Sequence, residues 1–270
     1  MSQTSQSHKI TLPDGACLQV FEQGVGTPLL LISGLGGAAA FWNPCLPALT
    51  TAHRVIRLDQ RGIGASTRGT AACTIDQLAD DCIAVLDHLG IQSAILLGHS
   101  TGGCITQALA LRSPQHAKAC VLTGTWTKPN RYMQELFKLR KGLLQSDPMA
   151  YAVSATFYSH EPSWLNANWG ALEAARAAAP LSPAAQNIVA ERIDAIMAFD
   201  RSTDVARIKA PVLNIGARDD LIVPAFLQEE LTALMPGSTL HLLEDGGHFF
   251  PVTRLTGFTA AVLSWAAQHV

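Results

Sequence analysis

The sequence predicts an α/β protein built on a mostly parallel sheet, and two features of the chain support this prediction. Short apolar runs of strand length alternate with longer segments in which apolar residues recur at helical spacing. Parallel strands need a crossover of a dozen or more residues, so this alternation indicates repeated βαβ units. With 270 residues, 48% of them hydrophobic, the chain is also long enough to bury a full core.

Eight segments are predicted to be strands. The first two, within KITLPDGACLQVFEQG, flank the turn-forming P-D-G and should form an antiparallel hairpin. Two of the others, PLLLIS and RVIRL, are short apolar runs of the kind found in doubly covered parallel strands. The remaining four are AILLG, ACVLTG, APVLNIG and STLHLL. Helices are therefore expected on both faces of the sheet.

The helix signals are clearest in TIDQLADDCIAVLDHLG, where apolar residues recur every three or four positions. Thr74 and Gln77 are spaced for a capping box at its start, and Gly90 is placed to end it.

One long interval carries no strand signal. From Trp126 to about Asp204 the sequence contains helical patterns and an aromatic patch, FYSHEPSWLNANW. We therefore expect an α/β core formed by residues 1–125 and 205–270, with a helical cap, residues 126–204, inserted after the sixth strand.

Composition limits the partners. The net charge is −2 and no basic run is present, which argues against nucleic acid and anionic membranes. The N-terminus lacks a signal-peptide pattern and no apolar stretch approaches the roughly 18 residues of a membrane span, so a cytoplasmic protein is expected. Six scattered cysteines form no C-x-x-C pair, and neither a disulfide framework nor a metal site is expected; Cys104 and Cys120 should be small buried hydrophobes.

The segment AILLGHSTGGC places Ser100 where a strand turns directly into a helix. Such a turn crowds the backbone, and Gly98 and Gly102 remove the Cβ atoms that would collide. The hydroxyl then projects at the carboxyl edge of the sheet, next to a helix N-terminus that favours negative charge. Ser100 is the predicted nucleophile.

A serine needs a base, and the base needs an acid that orients it. His248 follows STLHLL in a G-G-H sequence and is the predicted base. Asp219 and Asp220 follow APVLNIG; Asp219 is preferred as the acid because it is nearer the strand end, and Asp220 is the alternative. His99 should point away from the nucleophile and serve in packing or hydrogen bonding.

Acyl transfer also needs donors for the oxyanion. The backbone N–H of Thr101 lies at the helix N-terminus, and that of Leu35 lies in S-G-L-G-G, after a strand that ends on the same edge. The predicted oxyanion hole therefore consists of Leu35 and Thr101.

Five motifs occur along the chain: S-G-L-G-G (33–37), D-Q-R-G-I-G-A-S (59–66), G-H-S-T-G-G (98–103), D-D-L-I-V-P (219–224) and G-G-H (246–248). Together they make the chain resemble the α/β-hydrolase superfamily along its whole length. The resemblance implies a Ser100, Asp219 and His248 triad with oxyanion amides at Leu35 and Thr101. LLISGLGG, DQRG and DDLIVP are closest to the aminoacrylate hydrolase (RutD-like) group and more loosely similar to enol-lactonases and carbon-carbon bond hydrolases. G-H-S-T-G-G also resembles cofactor-free haloperoxidases and perhydrolases. Many members have His-Gly where this chain has Ser33-Gly34, so a side chain that often braces the oxyanion loop is shorter here.

The expected activity is hydrolysis of a small ester, lactone, amide or enamine through an acyl-serine, without metal or organic cofactor. The alternatives are carbon-carbon bond hydrolysis or cofactor-free haloperoxidase or perhydrolase chemistry, and a slow-turnover ligand receptor of the same fold. A small molecule is the expected partner, and the protein is expected to be a monomer or a homodimer.

Substrate choice is expected to depend on the cap. The candidate contacts are Trp126, Arg131, Tyr158, Trp164 and Trp169. The alternative for the aromatic residues is packing of the cap against the core. Arg131 usually would face solvent, but if it turned inward it could hold a substrate carboxylate.

Overall fold

The computed structural model describes residues 5–270. Within them, eight strands form one sheet. They are β1 (Gln6–Thr11), β2 (Cys17–Gln23), β3 (Thr27–Ile32), β4 (His53–Leu58), β5 (Ala94–His99), β6 (Ala117–Thr123), β7 (Val212–Ala217) and β8 (Thr239–Leu243). The order across the sheet is β1-β2-β4-β3-β5-β6-β7-β8. The pairs β1–β2 and β2–β4 are antiparallel and all the others are parallel, which confirms the predicted mostly parallel sheet.

Helices cover both faces of the sheet. They are α1 (Leu46–Leu49), α2 (Ile75–His88), α3 (Thr101–Arg112), α4 (Arg131–Ser146), α5 (Pro148–Ser159), α6 (Pro162–Ala167), α7 (Gly170–Ala177), α8 (Pro183–Ala198), α9 (Ala225–Ala233), α10 (Phe250–Thr253) and α11 (Leu255–His269). Helices α4 to α8 lie between β6 and β7, where the sequence predicts the cap. Within residues 5–270, no helix combines the length and apolarity that a membrane span requires.

The central strands are apolar throughout because each of their faces is buried. In β3, Leu30 and Ile32 join one apolar cluster, with residues of α2, α3, α9 and the cap. Leu29 and Leu31 join a second cluster on the opposite face, with residues of α1 and α11. Alternate side chains of a strand point to opposite faces, so a fully buried strand has no polar alternation.

Helix α2 begins and ends where the sequence predicts. The Gln77 N–H donates to Thr74 Oγ1 over 3.0 Å, and Gly90 follows the helix with φ +66°. The capping box is only half formed, because the Gln77 side chain donates to Asp81 (3.0 Å) instead of returning to Thr74. The Asp81 carboxylate lies one turn further along the helix and accepts the hydrogen bond from the Gln77 side-chain amide.

The two cysteines predicted to be buried hydrophobes, Cys104 and Cys120, are both fully enclosed. Burial raises the pKa of each thiol to about 12, so neither is a thiolate near neutral pH.

Candidate active site

The turn from β5 into α3 holds Ser100 in a strained conformation. Its φ of +56° is the one positive φ of a non-glycine residue among residues 5–270. A Cβ on Gly98 would lie 2.1 Å from the Gly102 carbonyl oxygen, and a Cβ on Gly102 would lie 2.1 Å from that of Ile32. The two flanking glycines therefore have the steric role that the sequence predicts. Strain of this kind concentrates at functional sites.

His248 lies in the loop after β8 and is paired with Asp220, which follows β7. The distance from His248 Nδ1 to Asp220 Oδ2 is 2.7 Å, and both side chains are almost completely buried. The other carboxylate oxygen of Asp220 accepts the N–H groups of Ile222 and Val223, each at 2.8 Å. These bonds hold the carboxylate in place against the imidazole.

The preference for Asp219 as the acid is wrong. Its carboxylate accepts the N–H groups of Gly246 (3.1 Å) and Gly247 (2.9 Å), in the loop that carries His248. Nearness to the strand end was a poor guide, because the chain turns after Ala217 and successive side chains on the turn point in different directions. Asp219 shapes the histidine loop, whereas Asp220 contacts the histidine.

His99 makes the hydrogen bond and packing contacts predicted for it. Its Nδ1 lies 3.0 Å from Thr123 Oγ1, and its ring stacks on Phe41. It also lines the cavity beside Ser100, with its ring centroid 4.8 Å from that of His248. Burial, together with the neighbouring His248, holds the pKa of His99 well below its usual range, so this imidazole is neutral near pH 7.

A cap arginine braces the predicted oxyanion loop. Arg192, on α8, is fully buried and donates through Nε to the Leu35 carbonyl (2.7 Å) and through Nη2 to the Gly34 carbonyl (3.2 Å). The same Nη2 donates to Gln60 Oε1, and Gln60 Nε2 donates to the Ser33 carbonyl (2.7 Å). The loop that has serine in place of the usual histidine is thus held by Arg192 and Gln60, which sequence reasoning missed.

These contacts also set the direction of a backbone donor. In a planar trans peptide, the carbonyl of Gly34 and the N–H of Leu35 point in opposite directions. The Gly34 carbonyl accepts from Arg192 and from the Gly37 N–H (2.9 Å), so this peptide plane is fixed and the Leu35 N–H points away from Arg192. The Thr101 N–H lies in the first turn of α3, where amides have no partner within the helix.

A cavity of about 750 Å³ contains the serine and the histidine. Its walls come from the core, including Ser100, Leu35 and His248, and from the cap. The cap contributes mainly apolar groups: Phe137, Tyr151, Ala152, Ala155, Ala175, Ala178, Ala179, Pro180, Ala185, Ile188 and Val189, together with Arg140 and Ser159. It is a site of the size and polarity that small-molecule ligands occupy.

None of the five predicted cap contacts lines this cavity. Trp126 is fully buried in the core, Arg131 is exposed at the start of α4, and Trp169 is 51% exposed. Tyr158 packs against the core cluster, and Trp164 stacks on His160 at a centroid distance of 5.0 Å. For Trp126 and Tyr158 the structure shows the alternative, packing of the cap against the core, and Arg131 does not turn inward.

The missed residues had a sequence signal. Met133, Phe137, Arg140 and Leu144 recur at helical spacing and all are buried. Arg140 is the one basic residue of this helix that falls on the buried stripe. Among residues 5–270, no group of three or more His, Cys, Asp or Glu side chains is arranged to hold a metal ion.

Comparison with known proteins identifies the family. A family model described as the alpha/beta hydrolase fold matches residues 27–255. The chain belongs to the α/β-hydrolase family. It is a hydrolase of that family, as its motifs predict.

Two curated relatives, from Azorhizobium caulinodans and Stutzerimonas stutzeri, are 32% and 37% identical to this chain. The matches cover 91% and 89% of this chain and 93% and 92% of the relatives. Both relatives are provisionally named carbamate hydrolase RutD, which confirms the predicted likeness to that group. The enol-lactonase from Burkholderia xenovorans LB400 has the same fold, with a TM-score of 0.87 at 24% identity over 96% of this chain and 100% of the lactonase.

Proposed function

We propose that this protein hydrolyses a small carboxylic ester, lactone or amide through an acyl intermediate on Ser100. One observation carries the proposal: the strained Ser100 lines the same cavity as His248, and His248 Nδ1 lies 2.7 Å from the buried carboxylate of Asp220. A nucleophile, a base and an orienting acid at one cavity are the components of acyl transfer by a triad.

In the proposed mechanism, a proton on Nδ1 of His248 is bonded to Asp220, which leaves Nε2 free to act as the base. As Ser100 Oγ attacks the substrate carbonyl, Nε2 takes the hydroxyl proton and then gives it to the leaving group. Asp220 stabilises the imidazolium that forms. A water molecule, deprotonated by the same imidazole, then hydrolyses the acyl-serine.

The oxyanion formed in both steps would accept from the backbone N–H groups of Leu35 and Thr101. Removing one donor from such a site typically costs about 10²–10³-fold in kcat. Arg192 supports this role without touching the substrate, because it fixes the peptide that carries the Leu35 N–H. We assign Arg192 as a positioning residue.

The relatives favour one group of bonds within this class. Two proteins that are 32% and 37% identical bear the name carbamate hydrolase, and a carbamate carbon is attacked in the same way as an ester carbonyl. We therefore expect carbamate and other carbon–nitrogen acyl bonds to be among the substrates.

The test is turnover of short p-nitrophenyl acyl esters and carbamates by the wild type and by Ser100→Ala, with mass spectrometry of the protein. The proposal predicts a burst of p-nitrophenol and an acyl adduct on Ser100, both absent in Ser100→Ala, with kcat reduced by about 10⁴-fold or more. A Ser100→Ala protein that keeps its turnover would refute the acyl-serine. It would favour direct attack by a water molecule that the His248 and Asp220 pair activates.

A further inference from the structure

Arg140 is a buried cation in the wall of the catalytic cavity. It lies on the apolar stripe of α4, is only 6% exposed, and lines the same cavity as Ser100 and His248. A molecule in this cavity can therefore contact both the reactive serine and the guanidinium.

The protein leaves this guanidinium without a counter-charge. Nη2 donates to the Tyr151 hydroxyl over 3.3 Å, and the guanidinium carbon lies over the rings of Phe137 (5.5 Å) and Tyr151 (5.0 Å). Nε is buried without a hydrogen-bond partner. Across residues 5–270, Arg140 forms no ion pair with a carboxylate.

The rest of the cavity supplies no anion either. No Asp or Glu is found among the lining residues of the described chain, and most of the surface is apolar. A buried charge is ordinarily paired, since leaving it unpaired in an apolar setting is costly. The unneutralised charge of Arg140 is thus complementary to a negatively charged ligand.

A second buried arginine adds to the positive potential. Arg192 bonds only neutral acceptors, the carbonyls of Gly34 and Leu35 and the side chain of Gln60. Arg140 and Arg192 both lie near Tyr151, and their charges both oppose the rise in its pKa that burial causes. Two cations therefore act on one end of a cavity that contains no carboxylate.

We propose that Arg140 binds a carboxylate at the non-reacting end of the substrate, so that this hydrolase selects acyl compounds with an apolar body and one free carboxylate. A guanidinium fork matches a carboxylate through two parallel charge-assisted hydrogen bonds. The cavity volume, about 750 Å³, falls within the range of about 300–1,000 Å³ typical of drug-sized ligands, and leaves room for a chain of several carbons. The reacting end of this substrate rests on the proposed function of Ser100.

The test compares two esters that differ only at the far end: the mono-p-nitrophenyl ester of adipic acid and p-nitrophenyl hexanoate. The readout is the ratio of kcat/KM for the charged ester to that for the neutral one. The proposal predicts that this ratio falls by about 10- to 100-fold in Arg140→Met, since hydrogen bonds to charged groups are worth about 1.5–3 kcal/mol. Arg140→Lys keeps the positive charge but loses the paired donors of the guanidinium. Its ratio should therefore lie between those of the wild type and Arg140→Met.

Arg131→Met is the matched control, because it removes the same charge from an exposed position on the same helix. Its ratio should equal that of the wild type. An Arg140→Met ratio equal to the wild-type ratio would overturn the proposal. If Arg140→Met does not fold, Arg140→Lys decides, and a wild-type ratio in that variant would overturn it too.

Failure of the proposed function is distinguishable from failure of the anion site. If the wild type hydrolyses neither ester, the acyl-serine proposal fails, and calorimetric titration with monomethyl adipate and methyl hexanoate still tests Arg140. Binding of the anion at least about tenfold tighter than the neutral ester, lost in Arg140→Met, would support the site. Equal affinities for the two compounds would refute it.

Discussion

The core wall and the cap wall of the cavity beside Ser100 hold their polar groups in different ways. We define the core wall by Ser100, His248 and Leu35, and the cap wall by Arg140 and Tyr151 with the apolar residues around them. On the core wall, His248 is paired with a buried carboxylate that is itself held by two backbone amides. On the cap wall, Arg140 has a single neutral partner, the Tyr151 hydroxyl.

A third buried arginine shows what the cap wall lacks. Arg61, in the loop after β4, donates to Asp81 (2.6 Å) and to Asp14 (2.7 Å), and the hydrogen bond to Asp81 raises its pKa. That charge is neutralised within the core and ties a loop to α2. Arg61 is neutralised by two carboxylates of the chain, whereas Arg140 has none, so the carboxylate of the proposed substrate would be its first counter-charge.

The largest expected effect tests the core wall. Asp220→Asn should lower kcat by about 10³–10⁴-fold, because an amide in place of the carboxylate favours the wrong tautomer of His248 and no longer stabilises the imidazolium. Asp219→Asn is the matched control, since its amide oxygen can still accept one of the two N–H groups of Gly246 and Gly247. Steady-state kinetics on a short ester measures both. A larger loss in Asp219→Asn would reverse the assignment made from the geometry.

The next effect tests Arg192, which extends from the cap helix α8 to the loop of the core wall at Leu35. Arg192→Gln should lower kcat by about 10- to 100-fold with little change in KM, because a displaced Leu35 N–H weakens transition-state binding more than substrate binding. Arg192→Lys, which can still donate to one loop carbonyl, should recover part of the loss. Arg176→Gln, at an exposed position on α7, is the control and should match the wild type.

A purely structural role for Arg192 would give a different pattern. The melting temperature would fall while kcat of the folded protein stayed at the wild-type value. Measuring the melting temperature and kcat on the same samples separates the two.

The smallest expected effect concerns the stability of the protein in acid, through His99, which lies beside the core wall. Burial lowers the pKa of His99, so between its folded pKa and the ordinary value of about 6.5 the unfolded chain binds more protons than the folded one. The free energy of unfolding should therefore fall as pH drops below about 6.5, by up to about 1.4 kcal/mol per pH unit for this one group. Burial also lowers the pKa values of His53 and His160, which add to the slope.

Urea unfolding between pH 7 and pH 5 measures this slope. His99→Asn, which can keep a hydrogen bond to Thr123, should flatten it, whereas the exposed His241→Asn should leave it as in the wild type. An unchanged slope in His99→Asn would show that His99 gains its proton as readily in the folded protein as in the unfolded chain.

Sequence reasoning succeeded where a residue's position follows from local backbone geometry. Apolar runs and flanking glycines are local signals. They made it possible to predict all eight strands, the insertion of the cap after β6 and the strained turn at Ser100. It was wrong about Asp219 because a shift of one residue on a turn redirects the side chain. It was wrong about the cap because aromatic content does not reveal which face of a helix meets the cavity.

By itself, the sequence determined the sheet, the strained serine turn and the loop positions of the histidine and the two candidate aspartates, since backbone sterics and apolar periodicity act over a few residues. Only the tertiary structure decided that Asp220 faces His248, that Arg192 of α8 holds the loop at Gly34 and Leu35, and that Arg140 lies unpaired in the cavity wall. These contacts join residues 28 to 158 positions apart, or face a space that several elements enclose. They depend on how helices and loops pack on one another, which no short stretch of sequence specifies.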